Sequence, residues 1–358
     1  MITLNVIFTP RTPARLIPFA TSLLKGSGVT IRLVDNGCGA DESPLLREAA
    51  ERSDRISYYS LAAESPVEHG LALNHLFERF REEHFAMADS DVIASGDFMA
   101  DLHPLLRAGT SVFSGSPVWA TENDVVISKE STWIGARHRE FEDGTSAGNS
   151  YFAIYPRAAL ESVWDAAPRG FGVVDSYELP RERRDAFAGR GWRFVLFDTT
   201  RVLNLLLLLA GHDLAHRVLP DLHHVGGFSA QHFARKRHRA AALAGGALAI
   251  MRSNEGSRVQ RLIDASRHHL FIARSRRDPA HRQMNVRRAR VIEHVRDAAD
   301  AIRSNRDIPP VPDFASRAVD EQVAALTAAL AVHCRPDRSR SPVTAGEAGS
   351  APGDQQTQ

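Results

Sequence analysis

A chain of 358 residues, 43% hydrophobic and 24% charged, has ample material for a buried core and the composition of a globular protein. Its two cysteines, Cys38 and Cys334, lie far apart in no metal-binding or redox spacing, which excludes a disulfide framework and favours a reducing, cytoplasmic setting. The net charge of +1 conceals an asymmetry: residues 231–358 carry 22 Lys and Arg against 13 Asp and Glu, leaving the rest acidic.

The first residues, Met1 to Val6, lack a charged leader and a long apolar run, so no signal peptide is expected. Leu4–Phe8 reads as a buried strand, followed by the loop Thr9-Pro10-Arg11-Thr12-Pro13. Leu16, Ile17, Phe19, Ala20, Leu23 and Leu24 share a helical face that Gly26 and Gly28 end. A second strand, Val29–Val34, stops at Asp35-Asn36-Gly37; residues 44–52 read as a helix and Arg55–Tyr59 as a third strand. A helix from about His69 to Glu82 leads into the apolar run His84–Ala88, which ends abruptly in Asp89-Ser90-Asp91 before Val92-Ile93. Strands and helices alternating through short connections predict an α/β fold, a mostly parallel sheet covered on both faces. In such sheets ligands bind at the carboxyl ends of the strands, where Asp35, Asp89 and Asp91 fall.

Alternation along a strand would turn Asp89 and Asp91 to one side. Two converging carboxylates repel unless a positive charge sits between them, and a hard divalent cation, Mn²⁺ or Mg²⁺, is the natural partner for oxygen ligands. The competing reading is a polar turn after a buried strand. Asp35 carries the same ambiguity, between ligand contact and a turn residue ahead of Gly37.

Downstream, Asp97 is expected to cap a helix reaching about Arg107, and Ser111–Trp119 reads as a strand entering a loop. Residues 120–148 are polar and irregular, a segment suited to a binding loop or a lid. Gly148–Ile154 reads as a strand and Arg157 to about Asp165 as a helix. Val174-Asp175-Ser176-Tyr177-Glu178 precedes an Arg-rich helix, which Asp175 could cap with Glu178 in its first turn. Val202–Ala210 is too short to span a bilayer and reads as a buried helix. After it comes Leu219–Ser229, containing His223, His224, Gly226 and Gly227. Helical stripes then recur at Val259/Leu262/Ile263/Ser266/Leu270, Ile292/Val295/Ala299/Ile302 and Val319/Val323/Leu326/Leu330. A helical region over 231–334 could pack on the first 230 residues, bind a substrate or form a homodimer contact, and 335–358 reads as a disordered tail. Its arginines are interspersed with acids, so nucleic acid is not an expected partner.

The order of these motifs over residues 2 to 230 resembles the GT-A glycosyltransferases, in particular the inverting enzymes of family 2. The resemblance implies a GT-A-like domain over 1–230 that takes a nucleotide-diphosphate sugar, with Asp89-Ser90-Asp91 standing at the family's metal-binding Asp-x-Asp motif. Thr9, Arg11, Asp35, Gly70, Asn74 and Asp89 then form the candidate donor contacts; Val34-Asp35-Asn36 and Gly70-Leu71-Ala72-Leu73-Asn74 match the family's pattern at those points. His224, or His223 beside it, would complete the coordination of Mn²⁺ or Mg²⁺ held by Asp89 and Asp91. Asp175 is the implied base, with Glu178 in reserve, and the acceptor is a small molecule, a peptide or a glycan, with peripheral membrane contact allowed. Two rival classes are a nucleotidyltransferase, which would want a glycine-rich phosphate loop where Thr9–Pro13 stands, and a non-enzymatic polyanion binder using the basic C-terminal helices.

Overall fold

The strands are built from residues that alternate between two apolar environments, and that alternation sets the whole architecture. The structure, a computed structural model, describes residues 1–115, 117–121, 125–127, 133–135, 139–140, 146–147, 150–192, 196–228 and 279–333. The strands β1 (Ile2–Phe8), β2 (Val29–Asp35), β3 (Ile56–Ser60), β4 (His84–Ala88), β6 (Ser111–Ser114), β11 (Phe152–Pro156) and β14 (Leu214–His216) form one seven-stranded sheet, in the order β14-β6-β11-β4-β1-β2-β3. All pair in parallel except β11, which runs against both β4 and β6. Leu4, Val6, Ile31, Leu33, Ala86 and Phe152 face one apolar layer, while Ile7, Val34, Phe85, Met87, Ala153 and Tyr155 face the other.

Each face is covered by helices whose apolar stripes match it. On the first lie α1 (Pro13–Ser22) and α2 (Ser43–Glu51), contributing Leu16, Phe19, Leu46 and Ala49. On the second lie α3 (His69–Arg79), α5 (Arg157–Val163), α6 (Arg181–Gly189) and α7 (Arg201–Leu209). Helix α7 buries Val202 to Leu207, the run expected to be internal, and no described helix is long and apolar enough to cross a membrane. Four short strands (β7 Val125–Ile127, β8 Trp133–Gly135, β9 Arg139–Glu140, β10 Ser146–Ala147) pair as two small hairpins, and most of the segment expected to form a lid lies outside the described residues.

The helices α8 (Pro279–Arg303) and α9 (Arg317–His333) do not stand apart. Val291, Ile292, Val295 and Ile302 of α8, with Val319, Val323, Leu326 and Leu330 of α9, belong to the same buried cluster as β1 and β2. Of the three roles open to the C-terminal helices, packing on the sheet layer is therefore realised. The Val259 stripe and the expected tail lie outside the described residues. Asp97 departs from expectation: its Oδ1 accepts the Met99 amide at 3.0 Å and the Ser27 amide at 2.8 Å, and the helix α4 (His103–Arg107) begins only six residues later. The carboxylate stitches a turn to a neighbouring loop and does not cap the helix.

Because α9 shares this core, Leu326→Ala should destabilise the whole protein by about 2–5 kcal/mol. Urea unfolding followed by circular dichroism should show one transition shifted to lower denaturant. A separate early transition, with the main one unmoved, would show that the C-terminal helices fold independently.

Candidate functional site

The sheet order reverses direction at β1: β2 lies on one side of it and β4 on the other. The carboxyl ends of β1 and β4 thus flank a topological switch point, where open α/β sheets leave a crevice. The crevice is lined by Ile7, Thr9, Asn36, Val67, His69, Asp89 and Ser90. Strand β4 ends at Ala88, and a tight turn closed by the Val92 amide on the Asp89 carbonyl (3.2 Å) carries the two aspartates. The turn, and not strand alternation, brings Asp89 and Asp91 together. The turn reading of this motif is realised, and the turn leaves the two carboxylates converging.

The third member comes from far along the chain by register. Strand β5 (Val92–Ala94) pairs antiparallel with β15 (Leu222–His224), setting His224 opposite Val92. His224 Nε2 then lies 3.3 Å from Asp91 Oδ1 and 3.4 Å from Asp89 Oδ2. Neighbouring side chains on a strand point to opposite faces, so His223 turns away, to Ser95 Oγ at 3.1 Å. Of the two histidines kept as candidate ligands, His223 is excluded from the cluster and His224 joins it.

Burial makes this cluster electrostatically tight. Asp91 has a 3% exposed side chain and Asp89 a 30% exposed one, so the pair grades from the interior to the crevice. Asp91 Oδ2 accepts the amides of Gly227 (3.0 Å) and Phe228 (2.9 Å), while Oδ1 faces the imidazole. Desolvation would raise the Asp91 pKa, but His224 and these amides hold it below the usual carboxylate range. Burial would likewise lower the His224 pKa, yet the charges of Asp91 and Asp89 win and push it up to about 9. The imidazole stacks on Tyr151, ring centroids 4.4 Å apart, and neither ring nitrogen makes an aligned hydrogen bond among the described residues.

Contacts of 3.3–3.4 Å without hydrogen-bond alignment fit ligands grouped around a common centre. Two ligands at right angles on a metal with bonds of roughly 2.1 Å would stand about 3 Å apart. Two carboxylates and one imidazole, their ligand atoms all within 4.8 Å of one another, fit a divalent ion of the Mn²⁺ type. Tyr151 supports both ends: its carbonyl accepts the Asp89 amide at 2.7 Å, and its ring positions His224. The sequence marked Tyr151 only as part of a strand. No local motif distinguishes it.

The remaining candidates divide by what they touch. Thr9 lines the crevice. Arg11 sits beside it with φ of 71°, its amide held by Glu42 Oε2 at 2.6 Å. Asp35 is buried and braces its own turn: its carboxylate accepts the Cys38 amide (2.9 Å), the Ser43 hydroxyl (2.5 Å) and the Tyr58 hydroxyl (2.9 Å). Burial would raise its pKa, and these bonds hold it below the ordinary value. Asn36, next in the chain, lines the crevice instead.

Gly70 and Asn74 serve the loop before β12 (Val174–Asp175). A Cβ on Gly70 would lie 2.4 Å from the Gly172 Cα. Asn74 donates to the Arg169 carbonyl at 2.9 Å and accepts the Phe171 amide at 2.8 Å, and Glu68 takes the Val173 amide at 3.1 Å. The first turn of α3 therefore binds the loop leading to Asp175, while His69 beside it faces Asp89 at 4.0 Å. Asp175 ends β12, paired with Leu196 of β13 (Leu196–Phe197), and Glu178 lies exposed in the short turn that follows. The next helix begins at Arg181 with Pro180 at its N-cap, so Asp175 is not that helix's cap.

No protein-family model matches the sequence and no curated protein matches it. Among solved structures it is similar to residues 1–349 of TarS from S. aureus, at 11% identity and a TM-score of 0.40, over 92% of this chain and 90% of that one. It is also similar to the mannosyltransferase PcManGT of Pyrobaculum calidifontis, solved with GDP-Man and Mn²⁺, at 13% identity and a TM-score of 0.37, over 92% and 86% of the two chains. A structure named as a glucose-1-phosphate thymidylyltransferase of Bacillus anthracis matches at 10% identity and a TM-score of 0.36, over 61% of this chain and 87% of that one. At these identities and scores, function has to be argued from the site itself.

With His224 protonated up to about pH 9, an ion entering the cluster must displace its proton. Calorimetric Mn²⁺ titrations at pH 7.5 in buffers of different ionisation enthalpy should report about one proton released per ion, with affinity rising as pH is raised. His223→Gln should bind as the wild type does, and His224→Ala should bind at least tenfold more weakly. Binding without proton release, or equal loss in both variants, would contradict this geometry.

Proposed function

We propose that the protein is a metal-dependent glycosyltransferase of the GT-A type, moving a sugar from a nucleoside-diphosphate donor to an acceptor nucleophile with inversion. The observation that carries the reading is the Asp89/Asp91/His224 cluster at the switch point between β1 and β4. A divalent ion held there would neutralise the charge that grows on a departing diphosphate. Asp91, buried and fixed through Oδ2, fits a permanent ligand, and Asp89, partly open to the crevice, fits the ligand on the donor side. The nucleotide is assigned to the crevice of Thr9, Asn36 and His69, and Asp35 acts by setting the turn that presents Asn36.

Inversion requires a carboxylate that takes the acceptor's proton on the face opposite the leaving group. Asp175 is our candidate and Glu178 the alternative. In support, the same first turn of α3 that reaches Asp89 through His69 also fixes residues 169–173, so the loop into Asp175 and the metal cluster share one rigid support. A nucleotidyltransferase reading is less well supported: Thr9–Thr12 is a turn closed on its own Thr12 hydroxyl, which bonds the Thr9 carbonyl at 2.7 Å, with no glycine among residues 9–13.

A thermal-shift screen of nucleotide-sugars should give stabilisation that needs both the sugar nucleotide and Mn²⁺. Asp91→Asn should abolish that joint effect and all Mn²⁺-dependent transfer while the fold survives. Asp175→Asn should keep donor binding and lower kcat by about 10²–10⁴. Unchanged transfer in Asp91→Asn would refute the metal role, and pyrophosphate release from a nucleoside triphosphate and a sugar phosphate would favour the nucleotidyltransferase class.

A further inference from the structure

The loop from His224 to Phe228 is shaped by two glycines and covered by the C-terminal helix. Gly226 and Gly227 have φ of 74° and 97°, backbone that side chains other than glycine rarely adopt. This pair of left-handed residues brings the amides of Gly227 and Phe228 onto the same Asp91 oxygen. Outside it lies Arg288 of α8, so close that a Cβ on Gly227 would fall 1.8 Å from its Nη2. Arg288 Nε donates to the Gly226 carbonyl at 3.2 Å, an oxygen that also accepts from Trp119 Nε1 at 3.2 Å, and its guanidinium lies 5.5 Å from the Trp119 ring centroid. The buried Arg287 donates to the Trp119 carbonyl at 2.8 Å, and the Arg296 guanidinium lies 5.8 Å from the Phe228 ring centroid. The Val118 amide on the His224 carbonyl (2.9 Å) closes the loop from the other side.

We infer that α8 is part of the ion site, and that Arg288, seated by Arg287 and Trp119, is a positioning residue that fixes the His224–Phe228 loop so that Asp91 Oδ1 and His224 Nε2 face one ion. The inference rests on the metal reading of that cluster. The chemistry is that of an outer partner orienting ligands. Without Arg288, Gly226 keeps one of its two side-chain donors among the described residues, and a loop of two glycines regains backbone freedom that the amides to Asp91 must then oppose. The ion's affinity is thereby tied to a helix far along the chain from every ligand. A cation at this point, beside a site that would gather anionic substrate, adds favourable charge without occupying a coordination position.

The test is Mn²⁺ binding to the full chain, read by electron paramagnetic resonance of the free ion, in wild type, Arg288→Ala and Arg288→Gln. Hydrogen exchange at the Gly227 and Phe228 amides is measured without metal. We expect Arg288→Ala to raise the Mn²⁺ Kd about tenfold and to speed exchange at these two amides, with the far-ultraviolet circular dichroism unchanged. Arg288→Gln, which keeps a donor and much of the volume, should fall between the two. Should Arg288→Ala fail to fold, Arg288→Gln carries the comparison, and a Kd and exchange equal to wild type overturn the inference. Wild-type protein that takes up no Mn²⁺ overturns the metal reading beneath it. Wild type that binds, with variants that bind equally well, overturns the role of Arg288 alone.

Discussion

One buried carboxylate ties the two halves of the chain together. Asp91 gives one oxygen to two backbone amides of the 224–228 loop and turns the other to His224. Removing either set of partners would leave a desolvated negative charge only partly compensated, at a cost of several kcal/mol. The pairing of β5 with β15, the glycines at 226 and 227 and the seat of α8 all serve that arrangement. The neighbouring carboxylates push the His224 pKa up to about 9, which favours an imidazolium facing that charge. A divalent ion would replace that proton with a larger charge at the same point.

The sheet positions the rest. Its switch point opens a crevice at the carboxyl ends of β1 and β4, and the turn after β4 delivers Asp89 to the crevice while Asp91 remains inside. Helix α3 connects this edge to the loop before Asp175 through close backbone packing at Gly70 and the Asn74 carboxamide. The same fold thus provides a buried carboxylate, a partly exposed one beside it and a packed connection to the loop before Asp175.

Much of this was legible in the sequence because the signals were local. Strand–helix alternation pointed to the α/β class, and a short apolar run ending in Asp89-Ser90-Asp91 marked the carboxyl end of β4 beside the crevice. What escaped was decided by tertiary partners. Asp35 looked equally like a turn residue and a ligand contact, and only Ser43 and Tyr58, brought in by α2 and β3, show its carboxylate bracing the turn. His223 and His224 are adjacent letters, and strand register alone separates them. Tyr151 and Arg288 carry no motif, since each acts by packing against residues dozens of positions away. Asp97 has the form of a helix cap, yet its carboxylate holds the amides of Met99 and Ser27 in a turn, and the helix starts only at His103.

The most direct test of the central claim is an anomalous difference map, at a wavelength where manganese scatters strongly, from crystals soaked in MnCl₂ and a nucleoside diphosphate. One strong peak is expected within about 2.3 Å of a carboxylate oxygen of Asp91 and of His224 Nε2, with Asp89 and the diphosphate on its open side. A map without density there, with His224 still facing the two carboxylates alone, would contradict it.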